Sequence, residues 1–452
     1  MKLPNYFLAD LPVEALVTPL LISDACHALR RNRARYMVDR TTAQMVKSIS
    51  KIAAEWLVKD YPIRLKTLLH GPSQTGFSLE VLTQGLDDYF SGITEQSLFG
   101  LIEQDLGHRE RLDGMVTHGG EQSRLCAAMT NGPELMGHLT GGVLPNSTFT
   151  NIFLGLLLRS SQFVKCAQGT SFLPRMLAHS IYHTDHKLGA CLEIAEWKGG
   201  TRSLEDALFQ QLDCLTVTGS SETITNLRRT IPARLKLVGH GHQMSVGYIA
   251  AEVMTLQDTR ELIRRVVYDV SAWDQLGCLS PQVIYVEKNG SVSPTMFAEF
   301  LAEELRTNES RIPRAPLEIA MSAKIASLRG FYEVRSVTGS TQIWSSQGST
   351  SWTVVYDPDS DVHPSCQHRF IFVKPIEGLE QMLQNLDPFR GQLSTVGLAV
   401  SSSKIQNAAQ ILARWGVTRI CPLGQMQRPP ISWRHDGQPA LGELVTWTNL
   451  EY

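Results

Sequence analysis

The sequence has no long apolar run: its longest strongly apolar stretch, Ile152 to Leu158, is far short of the roughly 20 residues that a membrane-spanning helix needs. Nor does the start read as a secretory signal, because Pro4, Asp10, Pro12 and Glu14 interrupt it. A cytoplasmic protein without a membrane span is expected. Neither charge dominates. Lys and Arg total 42 against 44 Asp and Glu, a net charge of -2, so there is no long-range pull toward nucleic acid or anionic lipid, and any anion site must be local. The eight cysteines show no CxxC spacing, which excludes the usual zinc and disulfide frameworks. His183 with His186, and His363 with His368, lack a third ligand nearby, so no metal is expected. Internal repeats, low-complexity tracts and long flexible linkers are missing too. What remains, 452 residues at 43% hydrophobic, 19% charged and 8% aromatic, is the composition of a globular enzyme with two or three packed lobes.

From Leu11 to about Leu106 apolar residues recur at helical spacing, as in Ala43, Val46, Ile49, Ile52, Ala53 and Leu57. Residues 1–114 therefore read as a helical N-terminal region, and Arg30, Arg31, Arg33 and Arg35 as a solvated helix end or, alternatively, a phosphate contact. Beyond Met115 short apolar runs alternate with helical stretches, the pattern of a parallel sheet covered by helices. Strands are expected at Gln162 to Lys165, Leu212 to Val217 and Leu235 to Val238, the last followed by a turn, Gly239-His240-Gly241-His242. Residues 115–255 form one α/β domain on this reading, and 256–424 a second. Asp258 with Glu261, and Ser403 with Gln406, are read as capping boxes, and Gly416 as a helix end. Residues 425–452 are a C-terminal segment that returns to the first domain.

The stretch Trp273-Asp274-Gln275-Leu276-Gly277-Cys278-Leu279-Ser280-Pro281-Gln282 places a cysteine after a glycine, between a helix and a strand. Such a turn can present a thiol with its own backbone N–H facing a reacting carbonyl. Spacing alone leaves a buried structural cysteine equally open. Together with Gly239-His240-Gly241-His242 upstream and Trp433-Arg434-His435-Asp436-Gly437 near the end, the motif resembles the LuxC-type acyl-CoA reductases, within the aldehyde dehydrogenase superfamily. The resemblance runs from about Gly137 to the C-terminus and is looser before that.

The resemblance implies an aldehyde-dehydrogenase-like α/β fold: a Rossmann-type NADPH lobe, a catalytic lobe carrying Cys278 and a small oligomerisation element, in a homodimer or homotetramer. It implies a long-chain or otherwise hydrophobic acyl thioester, on CoA or an acyl carrier protein, with an acyl-protein synthetase as a partner. Cys278 would carry the acyl group, since a thiolate both attacks a thioester and departs readily. Lys165, at the end of a strand, matches the superfamily lysine that contacts the adenosine ribose. Three places on, where NAD-selective relatives carry a glutamate, stands Gln168, which leaves the lysine to attract a 2′-phosphate. Thr218-Gly219-Ser220 resembles the superfamily's strand-to-helix element at the cofactor diphosphate, although Ser and Thr are also ordinary helix caps. Gly239 and Gly241 are expected beside the cofactor.

Two departures stand out. In Gly141-Gly142-Val143-Leu144-Pro145-Asn146, Val143 occupies the place of the usual oxyanion-binding asparagine, leaving the Cys278 N–H and Asn146 as candidates. At the Gly-His turn the superfamily's water-activating glutamate is missing, which favours thioester reduction over aldehyde oxidation. His240 or His242 is the candidate proton donor, unless each merely hydrogen-bonds locally. No chemistry is assigned to Trp433–Gly437. Rival readings are a cysteine acyltransferase or thioesterase without nicotinamide, an inactive interaction subunit, and a reductase that acts on acyl phosphates or oxidises aldehydes.

Overall fold

The computed structural model describes every residue except 1, 2, 13, 125, 242 and 452, and every side chain among those except 123, 124, 256 and 338. Two compact units result, one made of 1–75, 86–241 and 430–452, the other of 76–85 and 242–429. Among the described residues no helix is long and apolar enough to cross a membrane.

Five helices open the chain: α1 (Pro19–Tyr36), α2 (Thr42–Leu57), α3 (Pro62–Thr75), α4 (Leu79–Ser91) and α5 (Glu95–Leu106). Helix α2 shows why they form. The Thr41 hydroxyl accepts the Gln44 N–H while the Gln44 side chain accepts the Thr41 N–H, and Met45, Val46, Ile49, Ile52, Ala53 and Trp56 line one buried face. Of the arginines at the end of α1, Arg31 and Arg35 are exposed as expected, while Arg30 and Arg33 are taken up by the protein itself. Arg30 donates to Glu134 (2.6 Å) and Asp213 (3.0 Å), and Arg33 to the Arg159 carbonyl (2.8 Å), tying α1 to the sheet behind it.

That sheet has five parallel strands: β2 (Leu135–Thr140), β3 (Ser161–Cys166), β4 (Leu192–Glu196), β5 (Cys214–Thr218) and β6 (Lys236–His240), in the order β4-β3-β2-β5-β6. Its crossovers are α6 (Asn146–Leu157), α7 (Phe172–Thr184), α8 (His186–Gly189), α9 (Arg202–Phe209) and α10 (Ser221–Thr230). From β2 the chain winds outward to β4, then returns to β5 on the other side of β2. The strand order thus reverses between β2 and β5, the place where open α/β sheets bind ligands. An antiparallel pair, β1 (Cys126–Asn131) with β14 (Thr446–Glu451), completes the unit.

At the centre of the five-stranded sheet His138 is fully buried. The Gln162 amide donates to the Ile152 carbonyl, so its oxygen accepts from His138 Nε2–H (2.9 Å), and His138 Nδ1 accepts the Thr216 hydroxyl (2.7 Å). Burial pushes this imidazole down from 6.5 to about 4. Between those values the unfolded chain takes up a proton that the folded chain refuses, so stability falls as pH drops through that window, by at most about 1.4 kcal/mol per pH unit from this group. His138→Gln should remove that part of the slope in denaturant titrations from pH 6.5 to 4; an unchanged slope would show that the ring is not held neutral.

The second unit carries a seven-stranded sheet in the order β13-β12-β7-β8-β11-β10-β9, parallel except for β9. Its strands are β7 (Met244–Ile249), β8 (Pro281–Glu287), β9 (Gln342–Ser345), β10 (Thr353–Tyr356), β11 (Phe370–Ile376), β12 (Leu393–Ala399) and β13 (Arg419–Pro422). Between them run α11 (Leu256–Ser271), α12 (Pro294–Arg311), α13 (Ile319–Thr338), α14 (Leu379–Leu386) and α15 (Ile405–Trp415). Two expected caps are different. Thr255, not Asp258, caps α11 by accepting the Asp258 N–H, and Glu261 instead pairs with Arg265 one turn on. Helix α15 begins after Lys404 without a side-chain cap, so Ser403 and Gln406 form no box, while Gly416 at φ 116° ends it as expected.

Candidate active site

Between α11 and β8 the chain makes an unusual turn. Trp273, Asp274 and Gln275 all have left-handed backbone, at φ 50°, 51° and 65°, which costs a non-glycine residue about 1–2 kcal/mol each. Facing them is a second such triplet, Gln367, His368 and Arg369, at φ 64°, 57° and 64°. The two are bolted together by buried polar groups. The Gln275 amide donates to the Pro281 (2.9 Å) and Phe370 (3.0 Å) carbonyls and accepts the Phe370 N–H (2.8 Å). Arg369, 1% exposed, pairs with Asp274 at 2.7 Å and Glu309 at 2.8 Å. On the other side the Trp273 indole packs so closely on α4 that a Cβ at Gly85 would lie 2.3 Å from it. The Asp-Gln pair before the cysteine is therefore a clamp, and strain of this kind persists only where the surroundings over-determine it.

What the clamp delivers is the turn Gly277–Ser280. Cys278 is partly exposed there, and the Ser245 hydroxyl on β7 donates to its carbonyl at 2.6 Å. Buried Ser280 accepts the Gln427 amide (2.9 Å). Six other thiols are made poor nucleophiles by burial: Cys26, Cys166 and Cys191 are pushed up to about 12, and Cys214, Cys366 and Cys421 to about 11. Arg419, which sequence reasoning overlooked, donates to the Met426 (2.7 Å) and Gln425 (2.8 Å) carbonyls. Burial pulls its guanidinium down, and Cys421, Asp269 and Cys278 pull it back up, so its positive field reaches the cysteine turn.

In the five-stranded unit the expected cofactor residues gather at the carboxyl ends of the strands. The loop 141–145 follows β2 and Thr218-Gly219-Ser220 follows β5, flanking the reversal; a Cβ at Gly141 would come within 3.1 Å of the Thr218 carbonyl. Ser220 caps α10, its hydroxyl accepting the Thr223 N–H. Asn146 opens α6, and its side-chain oxygen is buried without a hydrogen-bond partner among the described residues. A polar atom stranded beside this reversal fits a site built for a polar ligand. Lys165 is the penultimate residue of β3 but is itself buried under Trp197, with its ammonium 5.6 Å from the ring centroid. Gln168 is exposed in the following loop, which is held by Glu196 accepting the Gly169 (2.8 Å) and Ser171 (3.2 Å) N–H groups.

Strand β6 runs through Gly239 and His240, which pair with Val217 and Thr218, so this pair belongs to the sheet rather than to a turn. Glycine is needed there because α10 lies close: a Cβ at 239 would stand 2.9 Å from Ile224. A Cβ at Gly241 would stand 3.2 Å from the Ser221 hydroxyl. His242 lies outside the described residues. His240 meets the C-terminal motif, for which the sequence suggested no chemistry. Its Nδ1–H donates to Asp436 Oδ2 at 3.2 Å, and its ring stacks on His435 with centroids 4.1 Å apart and planes at 5°. Their potential ligand atoms lie within 4.8 Å of one another. In parallel planes, however, two imidazole lone pairs do not converge on one point, so the geometry is that of a hydrogen-bonded pair, not a coordination set.

Solved structures share this architecture. The bifunctional proline utilization A (PutA) protein superposes with a TM-score of 0.72 at 14% identity, covering 98% of this chain, which spans 45% of that longer protein. A putative aldehyde dehydrogenase from Burkholderia cenocepacia gives 0.72 at 13% identity, covering 96% of this chain and 92% of that one. In sequence, the chain is 22% identical over 367 residues to the long-chain acyl-protein thioester reductase of Vibrio harveyi, covering 79% of this chain and 72% of that one. The profile of the acyl-CoA reductase (LuxC) family matches residues 37–447. With an aldehyde-dehydrogenase-like fold and a family match over most of its length, the chain belongs to the acyl-CoA reductase (LuxC) family and is an acyl-reducing oxidoreductase that works with a nicotinamide cofactor.

Proposed function

We propose that the chain reduces a long-chain acyl thioester, carried on CoA or on a protein, to the aldehyde with NADPH, through an acyl group held on Cys278. The observation that carries this reading is the clamped turn: of eight cysteines, Cys278 is the one presented on a partly exposed turn whose carbonyl, flanking residues and backbone are all fixed. The long-chain, thioester-bound substrate is that named for the Vibrio harveyi relative. The five-stranded unit serves as the cofactor domain and the seven-stranded unit as the catalytic one.

In this reading the Cys278 thiolate, favoured by the field of Arg419, attacks the thioester carbon, and the bond to the carrier sulfur breaks. The Cys278 N–H, with Asn146, holds the oxyanion. His240 gives its proton to the departing carrier thiolate. A bound NADPH supplies hydride, so that thioester, NADPH and one proton become aldehyde, carrier thiol and NADP+. The Cys278 sulfur then leaves as thiolate, ready for another turnover.

Lys165, Gln168, Asn146, Thr218, Gly219 and Ser220 would hold the dinucleotide, with Gly239 and Gly241 letting α10 approach. The test is direct: the purified chain, a long-chain acyl-CoA or acyl-protein and NADPH should give aldehyde and free carrier thiol in equal amounts, and thiol release without aldehyde would identify a thioesterase instead. For cofactor choice, Gln168→Glu places a carboxylate beside the expected 2′-phosphate. Its KM for NADPH should rise about tenfold while that for NADH stays within about threefold; equal changes for both would remove Gln168 from the cofactor site.

A further inference from the structure

We infer that Asp436 is a positioning residue for His240: it fixes the imidazole tautomer and so makes a strand-end histidine a competent proton donor and acceptor. This rests on the reading of His240 given above. The C-terminal segment, 196 residues away in sequence, brings Asp436 against the ring, where Oδ2 accepts Nδ1–H at 3.2 Å. With the proton held on Nδ1, the Nε2 lone pair is the one left to take and return a proton. Four further observations point the same way.

Asp436 adopts left-handed backbone at φ 54°, which a non-glycine residue takes up only at a cost, and that backbone aims the carboxylate at the ring. His435 lies flat on His240, with 5° between the planes, and so removes the freedom of the imidazole to tilt. Trp433 backs His435 with ring centroids 4.5 Å apart. The second carboxylate oxygen, Oδ1, is buried with no hydrogen bond among the described residues and lies 3.7 Å from His435 Nε2. The carboxylate is thus held by the imidazole N–H rather than spent on backbone N–H groups. Among the described residues, the titratable groups facing His240 are Asp436 and His435, both from this segment. Burial pushes His435 down to about 4, so near neutral pH it stacks as an uncharged ring, leaving Asp436 as the charged partner.

The inference assigns a task to a motif that otherwise has none. Asp436→Asn keeps the size of the side chain but loses the charge that holds the tautomer. Aldehyde formation should fall about 100-fold in kcat, with KM for the thioester within about threefold and the thermal midpoint unchanged. Asp436→Glu should recover part of kcat. A purely structural role would instead lower the thermal midpoint and leave Asp436→Glu as inactive as Asp436→Asn, and that result would overturn the inference.

His240→Ala, assayed alongside, separates the two layers. If it loses activity and Asp436→Asn does not, the positioning role alone falls. If His240→Ala is fully active, the proton-transfer role falls and takes this inference with it. One equivalent of zinc or another divalent ion on the native chain, absent from Asp436→Asn, would overturn the hydrogen-bonded pair in favour of a metal centre; metal analysis is expected to find none.

Discussion

Cys278→Ala should abolish aldehyde formation, by about 10⁴-fold or more, since a nucleophile that forms the covalent intermediate has no substitute in its turn. The fold should be untouched, for a reason visible in the turn. Ser245 holds the carbonyl of residue 278 and Gln275 holds the Pro281 and Phe370 carbonyls, bonds that an alanine at 278 keeps. An unchanged unfolding midpoint with lost activity is therefore the expected pairing. Intact-mass measurement after incubation with a long-chain acyl-CoA, without NADPH, should find one acyl group on the native chain, mapped by peptide digestion to Cys278. It should vanish in the alanine variant and, on adding NADPH to the native chain, discharge as aldehyde. An adduct on another cysteine, or activity surviving in Cys278→Ala, would remove the central element of the proposed reaction.

Arg369→Met is expected to be the most damaging substitution away from the sulfur. The guanidinium is fully enclosed and satisfies Asp274, Glu309 and the Ile312 carbonyl together. Removing one member of such a set leaves buried charge uncompensated, at a cost of about 3–5 kcal/mol, measurable as a lower denaturant midpoint. The pH dependence has a definite sign. Burial already raises the Asp274 carboxyl and Arg369 lowers it; without the arginine the folded chain keeps that proton to higher pH, while the unfolded chain releases it at the ordinary carboxylate value. The loss should then grow as pH rises above that value, and be larger at pH 8 than at pH 5. Asp274→Asn in the same chain should recover part of it. With the clamp open, iodoacetamide should label Cys278 at a changed rate. An Arg369→Met protein as stable as the parent would mean that the two left-handed triplets hold themselves.

Local signals in this chain translated well. Val46, Ile49, Ile52 and Ala53 of the apolar stripe lie on the buried face of α2, while Ala43 and Leu57 at its ends are exposed. The runs at Gln162, Leu212 and Leu235 became β3, β5 and β6, although β6 continues through Gly239 and His240. The failures share a cause. Asp258 and Ser403 looked like caps, but Thr255 lay in a better place for α11 and α15 starts on Lys404 without a cap. Several residue types can begin a helix, and a one-turn window does not rank them. Arg30 looked solvated because its partners, Glu134 and Asp213, are more than 100 positions away.

The candidate site divides along the same line. A glycine and a cysteine between helix and strand are visible as a motif, and that motif led to Cys278. Arg369 meets Asp274 across 95 residues and Asp436 meets His240 across 196. No periodicity encodes such meetings; they exist only once two sheets and a returning tail have formed. The nearest clue was the unusual composition of Trp433–Gly437, which marked the segment without saying what it touches.

The antiparallel pairing of β14 with β1 sets an order of events during synthesis. A ribosome translating this chain emits all seven strands of the larger sheet, and Cys278 with them, before Thr446–Glu451 emerges to meet Cys126–Asn131. The unit that begins first is thus the last to close, and Asp436 arrives only in its final stretch. A nascent chain therefore carries the Cys278 sulfur for some time before it carries the Asp436 carboxylate that meets His240.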